Sequence, residues 1–398
     1  MAKIKLLIVY PMDNICQKIG GIESITQNLV NYMPSNFDIE IVGISIKKQG
    51  LKIGKWHNII FQNRNIKFFP ILEIKNPNAR NLIPLTLRFV WALVWRRHRI
   101  DFKKRLIIFH RLEPSYVLGD IKEKKVLFVH GNIKSFGNKY CESKWKEIKS
   151  LYYFIEPFFI KHMKKIFVVS QAGCEYYKNR YPEYSSYFQF FPTWYDSHVF
   201  YRMEKIDKKS LLCFYKLPDK KKLILTVARL DRAKNPILLV RSFSFINNRC
   251  PDSHLIIVGE GQLKRKIIEL INNLNLTENV TFLGCKSASE IARLMNISDI
   301  FLLTSSFEGM PLVVLESLAC GLPVVSTDVG EVPLVVKIGM SGKIVNTHNP
   351  MDIAEAVVEV ISNRPSPYLC KSAVENYSQE KILKLLYEEL KKLANEAI

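Results

Sequence analysis

The chain has little that would tie it to a metal, a disulfide framework or a membrane span. Its eight cysteines (Cys16, Cys141, Cys174, Cys213, Cys250, Cys285, Cys320, Cys370) are scattered, with no Cys-x-x-Cys pair. That excludes a zinc ribbon and a disulfide scaffold and points to reduced thiols in a cytosol. No Asp-x-Asp occurs anywhere, so no divalent ion is expected to bridge a diphosphate through that motif. No signal peptide is visible, since Lys5–Tyr10 is an apolar run of strand length. The longest membrane candidate, Phe89–Trp95, is far too short to span a bilayer. There is no low-complexity segment, and no repeat beyond two similar α/β halves. Acidic residues are scarce in the first half: residues 1–200 hold 32 Lys and Arg against 15 Asp and Glu, which is +17 of a total of +21. A basic face there would attract anionic headgroups, phosphates or nucleic acid. Zinc spacing, an RNA-binding aromatic motif and a compact basic helix-turn-helix are all missing, which weighs against nucleic acid.

What is present is an alternation of strands and helices, in 398 residues, enough for two domains with their own cores. The stretch Thr304–Pro333, TSSFEGMPLVVLESLACGLPVVSTDVGEVP, organises the chain. The apolar run Phe301–Ser306 reads as a buried parallel strand. A loop, Glu308-Gly309-Met310, leads to Pro311, which suits the first position of a helix because it has no N–H to leave unpaired. Gly321 and Pro323 stop that helix, and Val324–Ser326 is the next strand. Free amides from Gly309 to Leu312 then sit at a helix N-terminus, which favours a phosphate. Glu308 and Glu316 flank it and can accept hydroxyl hydrogen bonds. Their spacing alone reads better as a surface pair.

Earlier in the chain, Lys5–Tyr10 is a strand, followed by Gly20-Gly21 and a helix with Ile22, Ile25, Leu29 and Met33 on one side. A Gly-Gly pair permits close backbone approach to a phosphate or sugar, and is as often a tight turn. Residues 80–105 are basic and aromatic, and Ile83–Trp95 reads as an amphipathic helix, either interfacial to a membrane or packed with a solvated basic face. Strands Leu106–His110 and Lys125–Asn132 each carry a His near the end. Ser143–Ile166 is expected to be helical with a break at Pro157. Lys165–Ser170 is a strand whose Ser170 caps the next helix. Phe190–Arg202 is the expected hinge and 203–220 a charged linker.

The second half opens with Lys222–Phe243, a strand running to Arg229, then Lys234 at the start of a helix. Two cations there would neutralise a diphosphate. Gly259-x-Gly261 turns a strand into a helix, and Leu283-Gly284 ends another. The tail, Tyr377–Ala394, is helical, with Ser378 as its cap.

Taken together, SSFEGMPLVVLESLACGLPVVSTDVGEVP, VARLDRAKNP and GGIE (Gly20–Glu23) resemble the retaining family 4 glycosyltransferases. The resemblance covers nearly the whole chain and is most specific from 222 to 333. It implies an α/β fold of the GT-B kind, two Rossmann-like domains facing each other across a cleft, with the last helix crossing back to the first domain. The expected division is 1–200 for the acceptor, 201–376 for the nucleotide sugar and 377–398 for the returning helix.

The implied activity is retaining transfer of a hexosyl group from a nucleotide-diphosphate sugar. The acceptor would be a hydroxyl of a glycan or lipid-linked saccharide, in cell-surface polysaccharide or lipopolysaccharide synthesis. The resemblance places Gly20 and Gly21 at the diphosphate and acceptor, His130 against the donor sugar, and Arg229 and Lys234 on the diphosphate. It also places Gly259 and Gly261 near the nucleotide and Leu283 near the base. Glu308, Gly309, Met310, Pro311, Leu312 and Glu316 would surround the donor, with Glu308 by the sugar and Glu316 on the ribose. Glu308 and His130 are the candidate catalytic residues; no general base is assigned. Where the family commonly has Asn-Gly in the hinge, this chain has Thr193-Trp194, with Asp196 and Phe200 retained. No cofactor and no metal is expected. An anionic membrane surface is the expected partner besides the donor and acceptor, with a peripheral location on the inner face of the plasma membrane. Rival readings are an epimerase or phosphorylase on the same architecture, a basic nucleic-acid-binding protein, and an inactive scaffold.

Overall fold

The structure is a computed structural model that describes residues 3–17, 20–47, 50–61, 63–77, 83–130, 149–219 and 221–396. Gly131, Asn132 and the segment 143–148 of the expected basic helix lie outside the described residues. The chain divides into two compact units. Among the described residues, the first falls within Met1–Asn132, Glu147–Thr193 and Glu380–Ile398, and the second within Trp194–Gln379.

The first unit is built on β1 (Ile4–Asp13), β2 (Phe37–Ile46), β3 (His57–Phe61), β4 (Arg64–Ile74), β5 (Arg105–Phe109), β6 (Lys125–Val129), β7 (Lys165–Val168) and β8 (Phe188–Phe190). They form one sheet in the order β3-β4-β2-β1-β5-β6-β7-β8. All pairs are parallel except the β3–β4 hairpin at one edge. Leu6, Leu7, Ile8 and Val9 of β1 have no exposed surface, as expected of a central strand covered on both faces. The strand order reverses between β1 and β5, and a sheet of this kind binds ligands beyond the carboxyl ends of its strands at that reversal.

The second unit contains β9 (Lys222–Val227), β10 (Ser253–Val258), β11 (Val280–Gly284), β12 (Ile300–Leu303), β13 (Val324–Thr327) and β14 (Gly342–Val345), all parallel, in the order β11-β10-β9-β12-β13-β14. Its reversal lies between β9 and β12. Two apolar layers pack on the sheet, one including Phe301, Leu315 and Leu318, the other Phe243, Val357 and Ile257.

The strands stop slightly earlier than the sequence pattern suggests. β9 ends at Val227 rather than Arg229, and His110 and His130 come directly after their strands. Pro311 is the cap, with extended backbone, and the helix starts at Leu312. Ser170 caps its helix as expected, accepting from the Gly173 amide at 3.1 Å. Two expectations are corrected. Pro157 does not break its helix, which runs from Lys149 to Ile160. Residues 203–220 are not a linker: Lys208–Phe214 is a helix capped by Asp207, and Leu212, Tyr215 and Leu217 are buried in the core of the second unit.

The last helix, Gln379–Asn395, belongs almost wholly to the first unit. Lys124 donates to the Leu393 carbonyl at 2.7 Å, Lys164 pairs with Glu396 at 2.9 Å, and Tyr387 packs near Phe37. Within the second unit, Tyr195 pairs in parallel with Ser378, its amide bonding the Tyr377 carbonyl at 3.1 Å. The segment leaving the first unit and the segment returning to it are thus stitched together, with Trp194, Tyr195 and Phe200 buried beside them.

Candidate functional site

The reversal between β9 and β12 gathers the charged residues of the second unit. After β9 the chain passes through Arg229 and Asp231 to Lys234, and after β12 through Thr304, Ser305 and Ser306 to Glu308. These two loops are tied together. The Ser306 amide donates to the Ala233 carbonyl at 2.8 Å. The Thr304 hydroxyl donates to the Asn235 carbonyl at 3.2 Å, and Asn235 donates to Ser306 at 3.3 Å. Asn235 adopts φ +47, tolerated by Asn, and starts the helix Pro236–Arg249 with its side chain.

That frame sets the side chains. Lys234 forms an ion pair with Glu308 Oε1, and the Ser305 hydroxyl donates to the same oxygen at 2.8 Å. Buried Asp231 accepts from the Lys234 amide at 3.1 Å and pairs with Arg229 at 3.2 Å. Arg229 remains 62% exposed, so its guanidinium can reach a ligand. Asp231 and Ser305 escaped the sequence pattern. Asp231 lies two residues after Arg229 in the same string, and that spacing was the available signal.

Three glycines fit the backbone close together here. A Cβ on Gly259, at φ +133, would collide with the Ala228 carbonyl, and one on Gly261 with the Leu230 carbonyl. Both therefore press the turn after β10 against the Arg229 loop. Gly330, at φ +53, sits on the Gly309 carbonyl, which accepts from the Glu331 amide at 2.8 Å. This holds the loop Gly309-Met310 ahead of the helix Leu312–Ala319. The first amides of that helix have no partner within it and carry its positive dipole end. Leu283 stands apart on edge strand β11, two strands from β9; Gly284 next to it accepts from the Gly259 amide at 2.8 Å.

Glu316 sits farther along the helix with different neighbours. Burial pushes its carboxyl up to about 8, with the Asp196 charge adding to the rise. The thiol of buried Cys320 is raised as well, by burial and then by Glu316. Asp196 is thus part of the electrostatics of Glu316.

In the first unit, the reversal between β1 and β5 brings another set together. His130 Nε2 lies 2.9 Å from His110 Nδ1, and His110 stacks on Phe128. Burial lowers His130 to about 4, and burial with the help of His130 holds His110 well below its ordinary value. Both imidazoles are neutral. Gly20 and Gly21 open the helix Gly21–Tyr32, whose Glu23 is buried and accepts from the Tyr10 hydroxyl at 2.6 Å. Arg111 lies beside Tyr10, Glu113 and Glu23. His110, Tyr10, Glu23 and Arg111 escaped the sequence pattern because only the sheet brings them together. Among the described residues no group of His, Cys, Asp and Glu is placed to hold a metal ion.

Two doubly wound units, the second with its cations, carboxylate and helix end at the strand reversal, define the GT-B class of α/β proteins. Residues 208–392 match the family model described as Glycosyl transferases group 1. The chain is 30% identical over 241 residues to an uncharacterized glycosyltransferase of Methanocaldococcus jannaschii, covering 57% of this chain and 56% of that one. It is 42% identical over 109 residues to the N-acetylgalactosamine-N,N'-diacetylbacillosaminyl-diphospho-undecaprenol 4-alpha-N-acetylgalactosaminyltransferase of Campylobacter jejuni, covering 27% and 28%. The chain spans about half the length, or less, of the curated relatives it matches. Anabaena HepE, solved with UDP-glucose, shares the fold at a TM-score of 0.72 and 17% identity, covering 98% of this chain and 99% of that one.

Proposed function

We propose that the protein is a retaining glycosyltransferase of the family 4 type. It moves a hexosyl group from a nucleotide-diphosphate sugar to a hydroxyl of a glycan or lipid-linked saccharide in cell-surface polysaccharide or lipopolysaccharide synthesis. One observation carries this: Arg229, the Lys234–Glu308 pair and the open end of the Leu312–Ala319 helix converge at the strand reversal of the second unit. Breaking an anomeric C–O bond leaves negative charge on a diphosphate and positive charge on a sugar ring. Arg229, Lys234 and the amides of Gly309, Met310 and Leu312 would stabilise the first as it develops. Pro311 has no amide to give and fixes the entry to the helix. Glu308 would accept from a sugar hydroxyl and stand near the cationic ring. Glu316 would hold the ribose. Gly259, Gly261 and Leu283 would shape the nucleotide side; Gly20, Gly21 and His130 would serve the sugar and acceptor side.

The protein's own cations supply the charge that a metal would, so turnover should survive a chelator. UDP is the first donor nucleotide to try, as HepE was solved with UDP-glucose, and an undecaprenyl-linked saccharide the first acceptor, as in the name of the Campylobacter relative. A thermal-shift panel of UDP-, GDP- and ADP-sugars on wild type and Lys234→Ala tests the reading, with product anomers assigned by NMR. The expected result is stabilisation by one nucleotide class, reduced in the variant, and a product that keeps the donor's anomeric configuration. No response to any of the three classes would overturn it.

The acceptor is proposed to be met at an anionic membrane. No described helix is long and apolar enough to cross one. The helix Leu85–Arg96 buries Phe89, Ala92 and Leu93 but leaves Trp91 and Trp95 69% and 64% exposed, beside Arg96 and Arg97. Indole rings next to cations suit the headgroup layer. Flotation with phosphatidylglycerol vesicles at low salt should recover the protein, and Trp91→Ala/Trp95→Ala should not float.

A further inference from the structure

The first unit contains a cavity of about 330 Å³ lined by Glu40, Trp56, Asn58, Lys67 and Arg105. It lies at the amino-terminal part of the sheet, far along the strands from the loops that follow them. Glu40 is early in β2, paired with Leu7 of β1 and Lys67 of β4, and Arg105 is the first residue of β5. Nothing in the transfer chemistry above uses these residues.

Arg105 reaches over β1 to Glu40, with Nε 2.6 Å from Oε2 and Nη2 3.2 Å from Oε1, and it also pairs with Asp101 at 3.1 Å. The side chains of Glu40 and Arg105 are 1% and 8% exposed. Lys67 approaches Glu40 at 3.9 Å from the rim. A pair buried this deeply gains little over an apolar one of equal size, so stability alone does not account for it beside a cavity. Trp56 packs against Phe69, ring centroids 5.1 Å apart, and presents half-buried surface to the cavity.

The lining has two cations, Glu40, and Asp101 beside Arg105, so it selects for no net charge, and the Glu40 carboxylate opposes a phosphate. The remaining chemistry is the half-buried Trp56 ring with exposed Asn58 and Lys67 beside it, next to the mutually paired Glu40 and Arg105. A sugar ring matches this: its C–H face packs on an indole, and its hydroxyls both donate and accept. The volume is at the lower end of that of small-ligand pockets. We infer that this cavity is a saccharide subsite, separate from the strand-reversal crevice, that holds one neutral sugar residue of a glycan on Trp56. The choice of a glycan rests on the transfer reaction proposed above.

The test uses the full chain labelled with 5-fluorotryptophan and saturated with UDP. Its five tryptophans give five 19F signals, and Trp56→Phe assigns the relevant one. The probes are the methyl α-glycosides of glucose, galactose, N-acetylglucosamine and N-acetylgalactosamine, with AMP as an aromatic control. At least one glycoside should move the Trp56 signal saturably. Asn58→Ala should weaken that response roughly five- to tenfold, the effect of one lost hydrogen bond, and Lys67→Ala similarly, both with unchanged circular dichroism. The inference is overturned if no glycoside moves the signal, if both variants respond as wild type does, or if AMP moves it as strongly. UDP stabilisation is measured on the same sample. Its loss would count against the donor site and leave the Trp56 result intact.

Discussion

Glu316 shows how burying one carboxyl ties stability to pH. Its folded value, raised to about 8 from 4.5 by burial and by Asp196, lies above its unfolded value. Between those two values the folded state binds the extra proton, so stability falls as pH rises through the window. A tenfold difference in proton affinity between the two states is worth roughly 1.4 kcal/mol. Glu316→Gln has no proton to lose. Its melting temperature should match wild type near pH 4.5 and exceed it by several degrees near pH 8. If Glu316 holds ribose hydroxyls, the same variant should raise donor KM roughly ten- to a hundredfold. Equal melting curves across that range would show that the carboxyl is not desolvated. Lys234 works differently. Its partner Glu308 also accepts from Ser305, so Lys234→Ala leaves a half-buried carboxylate with one neutral donor and removes a cation from the proposed diphosphate site. Turnover should fall by about two to three orders of magnitude; Lys234→Arg should recover part of it, and a stopped assay with saturating donor measures both.

Loops around the Leu312–Ala319 helix decide its geometry more than the helix does. The helix has only eight residues and no side-chain cap, so its first turn depends on Gly309 being held by Gly330 and the Glu331 amide. Gly330→Ala would put a methyl group into the Gly309 carbonyl at a positive φ. The left-handed backbone alone costs about 1–2 kcal/mol, and the collision adds to it. The variant should unfold at lower urea and lose nucleotide stabilisation out of proportion to that change, because the Gly309 and Met310 amides move. Normal nucleotide binding in a folded Gly330→Ala protein would show that those amides are not used. Elements also explain the misread segments. Residues 203–220 look like a linker because their charges dominate, yet Leu212, Tyr215 and Leu217 all turn into the core. Pro157 lacks an N–H, but the surrounding packing, with Ile160 and Phe159 buried, keeps the helix going through it.

Both units carry neutral histidines, His110 and His130 in the first and His254 in the second, with His110 and His254 buried and His130 half-buried. Burial lowers His130 and His254 to about 4 and His110 well below its ordinary value, against an unfolded value of 6.5. Below 6.5 the unfolded chain binds the extra protons, so stability present above that value is lost as pH falls towards 4. The whole molecule should therefore soften in acid before most carboxylates titrate, and both units should take part. Hydrogen exchange near pH 7 and near pH 5 would check this: backbone protection in β6 and in β10 should fall together. Because His130 is neutral across the ordinary range, no limb near 6.5 in the rate profile should belong to it.

Much of the molecule was legible in one dimension. The central strands are short apolar runs because each is covered on both faces, and that is a local property of the chain. Arg229, Lys234, Glu308 and Glu316 could be picked out as candidates because close sequence neighbours, Gly309, Pro311 and Asn235 among them, build the loops that carry them. The pairing of Lys234 with Glu308, the desolvation of Glu316 beside Asp196, the His110–His130 contact, and the Glu40–Arg105 pair lining one cavity with Trp56 were not legible. Each joins residues far apart in the chain, on elements that meet only because strands add to a sheet out of chain order. A sequence pattern records which surfaces want burial; which charge ends up beside which is settled only when the strands take their places.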